Sequence, residues 1–350
     1  MNNKILLEDF MKISARSTAW NKMKNKAILI TGANGFIPSY IVKFLLHLND
    51  YMNLKIKIIG IVRNKKNAKS RFGTLLNRQD FKIIVQDVSH PLTFNKNVDF
   101  IIHGASQANP RSYETDPVGT LKPNVLGTFH LLEFARIKRV ESILFISAGE
   151  TYGSIMTAGK KDEKTYGSLD PAVVRSCYAE SKRMTETMAV SWYHQYNIPA
   201  KIVRLYHTYG PGLNLKDGRV FSDFIDNIVK NENIVMKSRG EAVRSFIYIA
   251  DVVSAFFTVL LQGKNGEAYN VANEKVTLSI RKLAQTLTQL FPEKKLKVVF
   301  KKRGKKDTYI ESPIKFNYPS TTKLQTLGWK PHYSLQEGFK RTIKSFENLL

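Results

Sequence analysis

The stretch "KAILITGANGFIPSYIVKFLLHL", residues 26 to 48, constrains the fold more than any other part of this chain. An apolar run of strand length meets a glycine-containing turn and passes straight into apolar residues at helical spacing. Gly32 and Gly35 stand in that turn. Glycine lets the backbone turn tightly and approach a pyrophosphate, whose charge the following helix N-terminus favours. The order strand, turn, helix therefore predicts a dinucleotide-binding unit, with Asn34, Phe36 and Ile37 in reach of the same ligand. The third glycine of such turns is replaced by Pro38, which a helix tolerates in its first turn because the missing N–H is not needed there.

The pattern continues. "LKIKIIGIVRN" (54–64), "FKIIVQDV" (81–88), "VDFIIHGAS" (98–106) and "ESILFISAG" (141–149) read as four more strands, and "AKIVRLYHTYG" opens another at residue 200. Helical stretches such as "GTFHLLEFARI" (127–137) separate several of them. Strands alternating with helices predict the α/β class: a Rossmann-type, doubly wound parallel sheet with helices on both faces. After residue 206 short strands mix with a helix at "IRKLAQTLTQLF", which reads as a smaller, mixed C-terminal substrate-binding lobe. The expected division is an N-terminal extension at 1–25, where "LLEDFMKI" forms a short amphipathic helix, and an NAD(P)-binding domain at 26–205. The lobe then spans 206–350, with about 244–270 returning to the first domain.

Composition narrows the partners. Cys177 is the one cysteine, which excludes an internal disulfide and a cysteine-built metal site, and no metal is expected. The apolar runs are too short to cross a bilayer and no secretory signal opens the chain, so a cytoplasmic protein without a membrane partner is expected. The formal net charge of +25 concentrates in stretches such as "NKKNAKSRF" (64–72) and "FKKRGKK" (300–306). No interleaved aromatics or nucleic-acid motif accompany them, so nucleic acid is not an expected partner. A solvated basic surface that mildly attracts phosphate-bearing small substrates fits better.

The end of the second strand discriminates between nicotinamide cofactors, an acid binding the ribose hydroxyls and an arginine accommodating a 2′-phosphate. Here Arg63 is followed by Asn64, Lys65 and Lys66 with no acid, so NADP is favoured over NAD. Asp87 and Val88 are placed to meet the adenine, and Ala105 follows the fourth strand at the same edge. Further on, "YAESK" sets Tyr178 and Lys182 on one helix face. A tyrosine of ordinary pKa, about 10, is a poor base at neutral pH. A nearby ammonium and an oxidised nicotinamide are expected to lower it, so that the phenolate can accept a hydroxyl proton while hydride leaves.

The glycine turn and "YAESK" together resemble the extended short-chain dehydrogenase/reductase family, in its nucleotide-sugar-modifying epimerase/dehydratase group. The resemblance runs from about residue 26 to "LGWKP" (327–331) and includes "NVLGTFHLLEFA" (124–135), "RLYHTYGPG" (204–212) and "RSFIYIADV" (244–252). Within the group, "HGASQANPRSYETDPVGTLKPNVLGT" (103–128), "VRSCYAESKRMTETM" (174–188) and "KDGRVFSDFI" (216–225) are most similar to UDP-glucuronate decarboxylases. The resemblance implies NAD(P)-dependent modification of a nucleoside-diphosphate sugar through a 4-keto intermediate, decarboxylation first. A nucleotide-sugar epimerase, a 4-keto-sugar reductase and a non-catalytic nucleotide-sugar binder are the alternatives. It also implies a homodimer through a helix pair that includes the tyrosine helix.

By the same resemblance Tyr178 is the acid/base, Lys182 its electrostatic partner and Glu150 a pocket carboxylate, while Arg219 and Arg244 contact the nucleotide or its diphosphate and Tyr113 lies near the sugar. Structural roles stay open: packing for Tyr113 and Cys177, a cap or a lysine partner for Glu150, surface salt bridges for the two arginines. Two departures matter most. Where the decarboxylase pattern carries threonine, serine, glutamate, this chain has Ala148, Gly149 and Glu150. Ser147 could supply the lost hydroxyl only if the strand ended or bulged there, since successive strand residues face opposite ways. His207 replaces the family's usual asparagine, exchanging a neutral hydrogen-bonding group for one with pH-dependent charge, or else serving as a satisfied structural histidine.

Overall fold

The computed structural model describes residues 4–16, 19–155, 159–301 and 316–347. The expected apolar runs form β1 (Ala27–Thr31), β2 (Lys57–Val62), β3 (Phe81–Val85), β4 (Phe100–His103), β5 (Ser142–Ala148) and β6 (Ala200–Leu205). They are followed by β7 (His207–Tyr209), β8 (Ile234–Met236), β9 (Val243–Tyr248), β10 (Ala268–Val271), β11 (Thr277–Ser279) and β12 (Val298–Phe300). A seven-stranded sheet in the order β10-β6-β5-β4-β1-β2-β3 organises the molecule, every neighbouring pair parallel. All five residues of β1 are buried, as a parallel strand covered by helices on both faces requires. The order reverses between β1 and β4, and ligands of such sheets bind at the carboxyl ends beside that reversal.

The smaller part comprises a β11-β9-β7 sheet and a β8–β12 pair. From β9 the chain enters the helix Ile249–Gln262, buried at every position except Gln262, because both the large sheet and the N-terminal helix cover it. That helix carries the chain back to β10, the edge strand of the large sheet.

"LLEDFMKI" lies within the helix Lys4–Ser14, whose docking depends on a charge. Asp9 is fully buried and accepts hydrogen bonds from the hydroxyls of Tyr40 (3.0 Å), Tyr248 (2.6 Å) and Tyr333 (2.8 Å). The Arg341 guanidinium closes the cluster at 2.7 Å. Burial pushes the carboxyl up, and Arg341 with the three phenols opposes that push. Asp251 plays a parallel part, accepting from Arg16 (2.6 Å) and from the backbone N–H groups of His332 (2.9 Å) and Tyr333 (3.1 Å). The two ends of the chain are thus joined through buried acids, each fully hydrogen-bonded.

Of the basic stretches, 64–72 forms an exposed lysine-bearing helix, Lys65–Phe72, whereas Lys302–Lys306 lie outside the described residues. Among the described residues no helix is long and apolar enough to cross a membrane, and no His, Cys, Asp and Glu group could hold a metal ion. Removing Asp9 leaves three buried phenol donors without their acceptor and takes the buried carboxylate from the Arg341 guanidinium. Asp9→Ala should therefore lower unfolding free energy by about 3–5 kcal/mol in urea denaturation. Glu8→Ala, which breaks a largely solvated contact to the same arginine, should cost less than about 1 kcal/mol.

Candidate active site

The glycine turn is shaped by contact as well as by dihedral preference. Gly32 has φ 63°, and a Cβ there would stand 2.8 Å from the Ala105 Cα, so a side chain would wedge the β1 and β4 turns apart. Thr31 ties the same two turns together. Its hydroxyl accepts from the N–H groups of Gly104 (3.2 Å) and Ala105 (3.1 Å) and donates to His103 Nδ1 (2.8 Å). His103 Nε2 lies 3.1 Å from the Pro123 carbonyl, which can only accept, so the ring is neutral with its proton on Nε2. Burial, then the nearby Lys182 charge, pull its pKa down to about 3. Pro38 is accommodated by a matching omission: a Cβ on Gly104 would lie 2.6 Å from its Cγ.

A cleft of about 250 Å³ opens here, lined by Gly32, Asn34, Gly35, Arg63, Asp87, Val88 and Ala105, all singled out from the sequence. Phe36 and Ile37 pack instead against the main core, leaving only their backbone at the helix start. Arg63 is exposed on the rim, and its charge reaches both Asp87 and Asp116. Ser106, which the sequence reading missed, also lines the cleft, and its buried Oγ has no partner among the described residues. An orphaned donor beside a glycine cradle and a helix N-terminus fits a dinucleotide.

Tyr178 and Lys182 lie on the helix Cys177–Tyr196. Lys182 Nζ donates to the Ile146 carbonyl of β5 at 2.6 Å and sits 5.9 Å from the centre of the Tyr178 ring. Burial pulls the ammonium down to about 7, against the raising charge of Glu186. The protein's own groups act on Tyr178 in the opposite sense to the lowering expected with a nicotinamide bound. Burial first, then the Glu150 charge, push its phenol above the ordinary range, while Arg219 and Arg175 act in the opposite sense. Lys182 spends its short hydrogen bond on the strand, so the chain by itself does not lower the phenol.

Around Tyr178 the other candidates gather. Tyr113 stacks on it with ring centres 4.7 Å apart, and the Arg175 guanidinium sits 4.6 Å from the Tyr113 ring centre. Arg175 pairs with Glu150 at 3.0 Å, which orients the carboxylate beside both tyrosines. Arg219 starts the helix Val220–Val229 and is held by Asp217, with its charge felt at Tyr178 and at His207. His207 lies between Phe221 (6.0 Å) and Phe246 (5.6 Å). Burial, then Arg244 and Arg219, depress its pKa to about 3, so it carries no charge near neutral pH. Arg244 extends from β9, donating to the Val243 carbonyl at 2.9 Å.

The missing hydroxyls are not replaced by their neighbours. β5 stays regular through Ala148, so Ser147 faces away and donates to Glu186 at 2.5 Å, a carboxylate that Arg204 also holds. Ala148 packs among Tyr113, Cys177 and Tyr178. At Gly149 a Cβ would stand 2.9 Å from the Tyr206 ring, which occupies the space a serine would need. Thr151 turns its hydroxyl back to the Ala148 carbonyl, 2.8 Å away. Cys177 is a packed thiol whose pKa burial raises, not an activated one.

Residues 28–272 match the model of the "NAD dependent epimerase/dehydratase family", and the chain belongs to that family. The chain is 33% identical over 324 residues to a UDP-glucuronic acid decarboxylase of Arabidopsis thaliana, covering 92% of this chain and 89% of that protein. A UDP-glucuronic acid 4-epimerase of Bacillus cereus, solved with NAD and a UDP-4-deoxy-4-fluoro-glucuronic acid, has a similar fold. Its TM-score is 0.77 at 21% identity, with 93% of this chain and all of that one covered. A dTDP-glucose 4,6-dehydratase of Bacillus anthracis with NAD gives 0.75 at 20% identity, covering 92% and 97%.

Removing the Glu150 charge removes a group that raises the tyrosine. In Glu150→Gln the Tyr178 phenol should therefore ionise at lower pH than in the parent protein. Ultraviolet phenolate titration, with Tyr178→Phe subtracted, measures this; an unmoved curve would refute the coupling.

Proposed function

We propose that this chain decarboxylates a UDP-hexuronate, UDP-glucuronate in the first instance, in an NAD(P)-dependent reaction through a 4-keto sugar. The observation that carries the reading is the Glu150–Arg175 pair beside Tyr178. Exchange of hydride at C4 alone has no use for a carboxylate in that position. The decarboxylase relatives agree with it.

Gly32, Gly35, Ala105 and Ser106 would hold the cofactor's diphosphate region, and Asp87 and Val88 its adenosine end. Bound there, NAD(P) supplies the hydride acceptor, and later the donor, at the sugar's C4. Tyr178 takes the O4 proton and returns it on reduction. Lys182 fixes the tyrosine helix to β5 and, when protonated, favours the phenolate. Once C4 is a ketone, the C5–carboxylate bond lies next to an electron sink; its electron pair moves into the carbonyl as carbon dioxide leaves, and the resulting enolate takes a proton from water at C5 before C4 is reduced. Glu150, held by Arg175, orients the sugar hydroxyls for that step, and Arg219 and Arg244 offer forked donors to the diphosphate. His207 contributes as a neutral ring.

The absent hydroxyl at 148 costs one hydrogen bond to the reacting O4, about 1–3 kcal/mol or one to two powers of ten in rate. The loss of both hydroxyls also keeps epimerisation as a second reading, since that reaction needs Tyr178 and Lys182 without Glu150. Arg63 on the cleft rim, with no acid at the end of β2, supports NADP over NAD; Asp87 and Asp116 offset part of its charge, so the preference should be modest. An exposed apolar stripe of Val118, Leu121, Leu126 and Phe129 on the helix Pro117–Lys138, beside Met184 on the tyrosine helix, supports a homodimer through that helix pair. A single half-buried thiol suits a reducing cytoplasm.

Mass spectrometry of UDP-sugars incubated with the protein and either cofactor tests the reading. UDP-glucuronate should lose carbon dioxide, faster with NADP, and Tyr178→Phe should abolish the loss. Ala148→Thr should raise kcat about tenfold by restoring the hydrogen bond. A product of unchanged mass and altered retention would move the assignment to epimerisation. Undiminished ligand binding without any product would make the chain a binder.

A further inference from the structure

The tyrosine helix turns a second charged side chain towards the sheet besides Lys182. Lys182 and Glu186 are one turn apart on Cys177–Tyr196, so their side chains lie side by side. They meet β5 at consecutive positions. Lys182 Nζ donates to the Ile146 carbonyl at 2.6 Å, and Glu186 Oε1 accepts from the Ser147 hydroxyl at 2.5 Å. These distances set the ammonium and the carboxylate over the same stretch of strand.

Glu186 is clamped there. Ser147 on β5 and Arg204 on β6 stand opposite each other in the parallel register, and the carboxylate bridges them. Arg204 donates to it through Nη2 at 2.7 Å and through Nε at 3.1 Å, while Nη1 donates to the Glu163 carbonyl at 3.0 Å. Ser147 and Arg204 are buried, and only 12% of the Glu186 side chain is exposed. Behind the helix, Asn124 Nδ2 donates to the Ser181 hydroxyl at 2.9 Å, and the Thr185 hydroxyl donates to the Asn124 carbonyl at 2.7 Å. The tyrosine helix is therefore held by hydrogen bonds on two sides.

A buried ion pair contributes little net stability over apolar residues of the same volume. Its place behind the proton-transferring residues is better explained by what its charge does. Burial pulls the Lys182 ammonium down to about 7, and the Glu186 charge opposes that pull. No neighbouring group substitutes for it among the described residues. His103 is neutral, Glu150 is engaged by Arg175, and Arg204 is a cation that Glu186 itself meets. On the facing helix Glu133 is taken by Arg136 and Trp192, and on the tyrosine helix Glu180 is taken by Arg183.

We infer that Glu186 is a positioning residue of the candidate site: clamped by Ser147 and Arg204, it fixes the tyrosine helix on β5 and supplies the negative charge that keeps Lys182 an ammonium beside Tyr178. The inference rests on the proton-transfer roles given above to Tyr178 and Lys182. Glu186 acts through Lys182.

NMR titration of isotope-labelled lysine Cε signals in the full chain tests it, for the parent, E186Q and E186Q/R204M, with K182R to assign the Lys182 signal. E186Q keeps the shape of the side chain and removes its charge. The double variant also removes the guanidinium that E186Q leaves unpaired. The parent ammonium should titrate at about pH 7. In E186Q it should titrate at lower pH, and less strongly so in the double variant, because the charged form has lost its partner. In turnover of UDP-glucuronate, the support that the ammonium gives the phenolate is present at low pH and lost as pH rises through the Lys182 midpoint. The alkaline fall in kcat should therefore begin at lower pH in E186Q, with KM unchanged. A lowered melting temperature with an unmoved Lys182 titration overturns the inference. Failure of both variants to fold also overturns it, since Glu186 then serves the fold alone. A parent protein that leaves UDP-glucuronate unchanged overturns the decarboxylase reading instead, and the lysine titration still decides on Glu186.

Discussion

The hydrogen bond from Lys182 to the Ile146 carbonyl is the contact on which the candidate site depends. It joins the tyrosine helix to β5 just before the strand delivers Ala148, Gly149 and Glu150. Together with the Ser147–Glu186 hydrogen bond, it fixes the stacked Tyr113 and Tyr178 rings and the Arg175–Glu150 pair relative to the sheet. Its cost is a lysine withdrawn from water, with an ammonium pulled to about 7. The same placement puts Lys182 near His103, whose neutral ring ties the β1 and β4 turns through Thr31. One buried cation thereby connects the chemical end of the site to its nucleotide end.

The departures from the family pattern obey one rule: where a side chain is gained, a neighbour has given up its own. Pro38 fills the third glycine position, and Gly104 leaves room for its ring. Tyr206 spreads over the place of a serine at 149, and residue 149 is glycine. Close packing demands such pairing, because an interior at crystal-like density cannot absorb added atoms without removing others. Ala148 has a different logic. Its methyl sits among Tyr113, Cys177 and Tyr178, so the strand end presents an apolar floor to the tyrosine where a polar one was expected.

Much of this was legible in the sequence. The strands up to β6, the glycine turn and the tyrosine–lysine pair are local patterns, readable from periodicity and spacing. Ser147 was correctly placed on the far face by the strand period alone. The Arg175–Glu150 pair was not legible, since its members are 25 positions apart and meet only through the fold. The protein's own effect on Tyr178 was hidden for a related reason. Burial and the long-range neighbour Glu150 raise the phenol and the strand carbonyl claims the Lys182 ammonium, so the lowering expected with an oxidised nicotinamide is not one that these residues make alone. His207 likewise looked pH-dependent, but burial first, then the charges of Arg244 and Arg219 from distant segments, keep the ring neutral. Asp9 had no signal of any kind, because an aspartate in an amphipathic helix reads as a solvated residue.

The large positive charge of the chain divides into two populations with different physical meaning. Most of its lysines are solvated, as on the helix Lys65–Phe72, and contribute little to the fold. A few cations are buried beside the tyrosine helix, among them Arg175 and Lys182. Arg175 has its carboxylate in Glu150, whereas Lys182 spends its hydrogen bond on a backbone carbonyl and carries the cost of burial in a lowered ammonium. A bound nucleotide sugar offsets that cost by mass action, stabilising the folded state by about 2.7 kcal/mol at a ligand concentration one hundred times Kd. The burial of charge inside the site and the binding of a ligand to it are thus two terms of one balance, the first set by the fold and the second by ligand concentration.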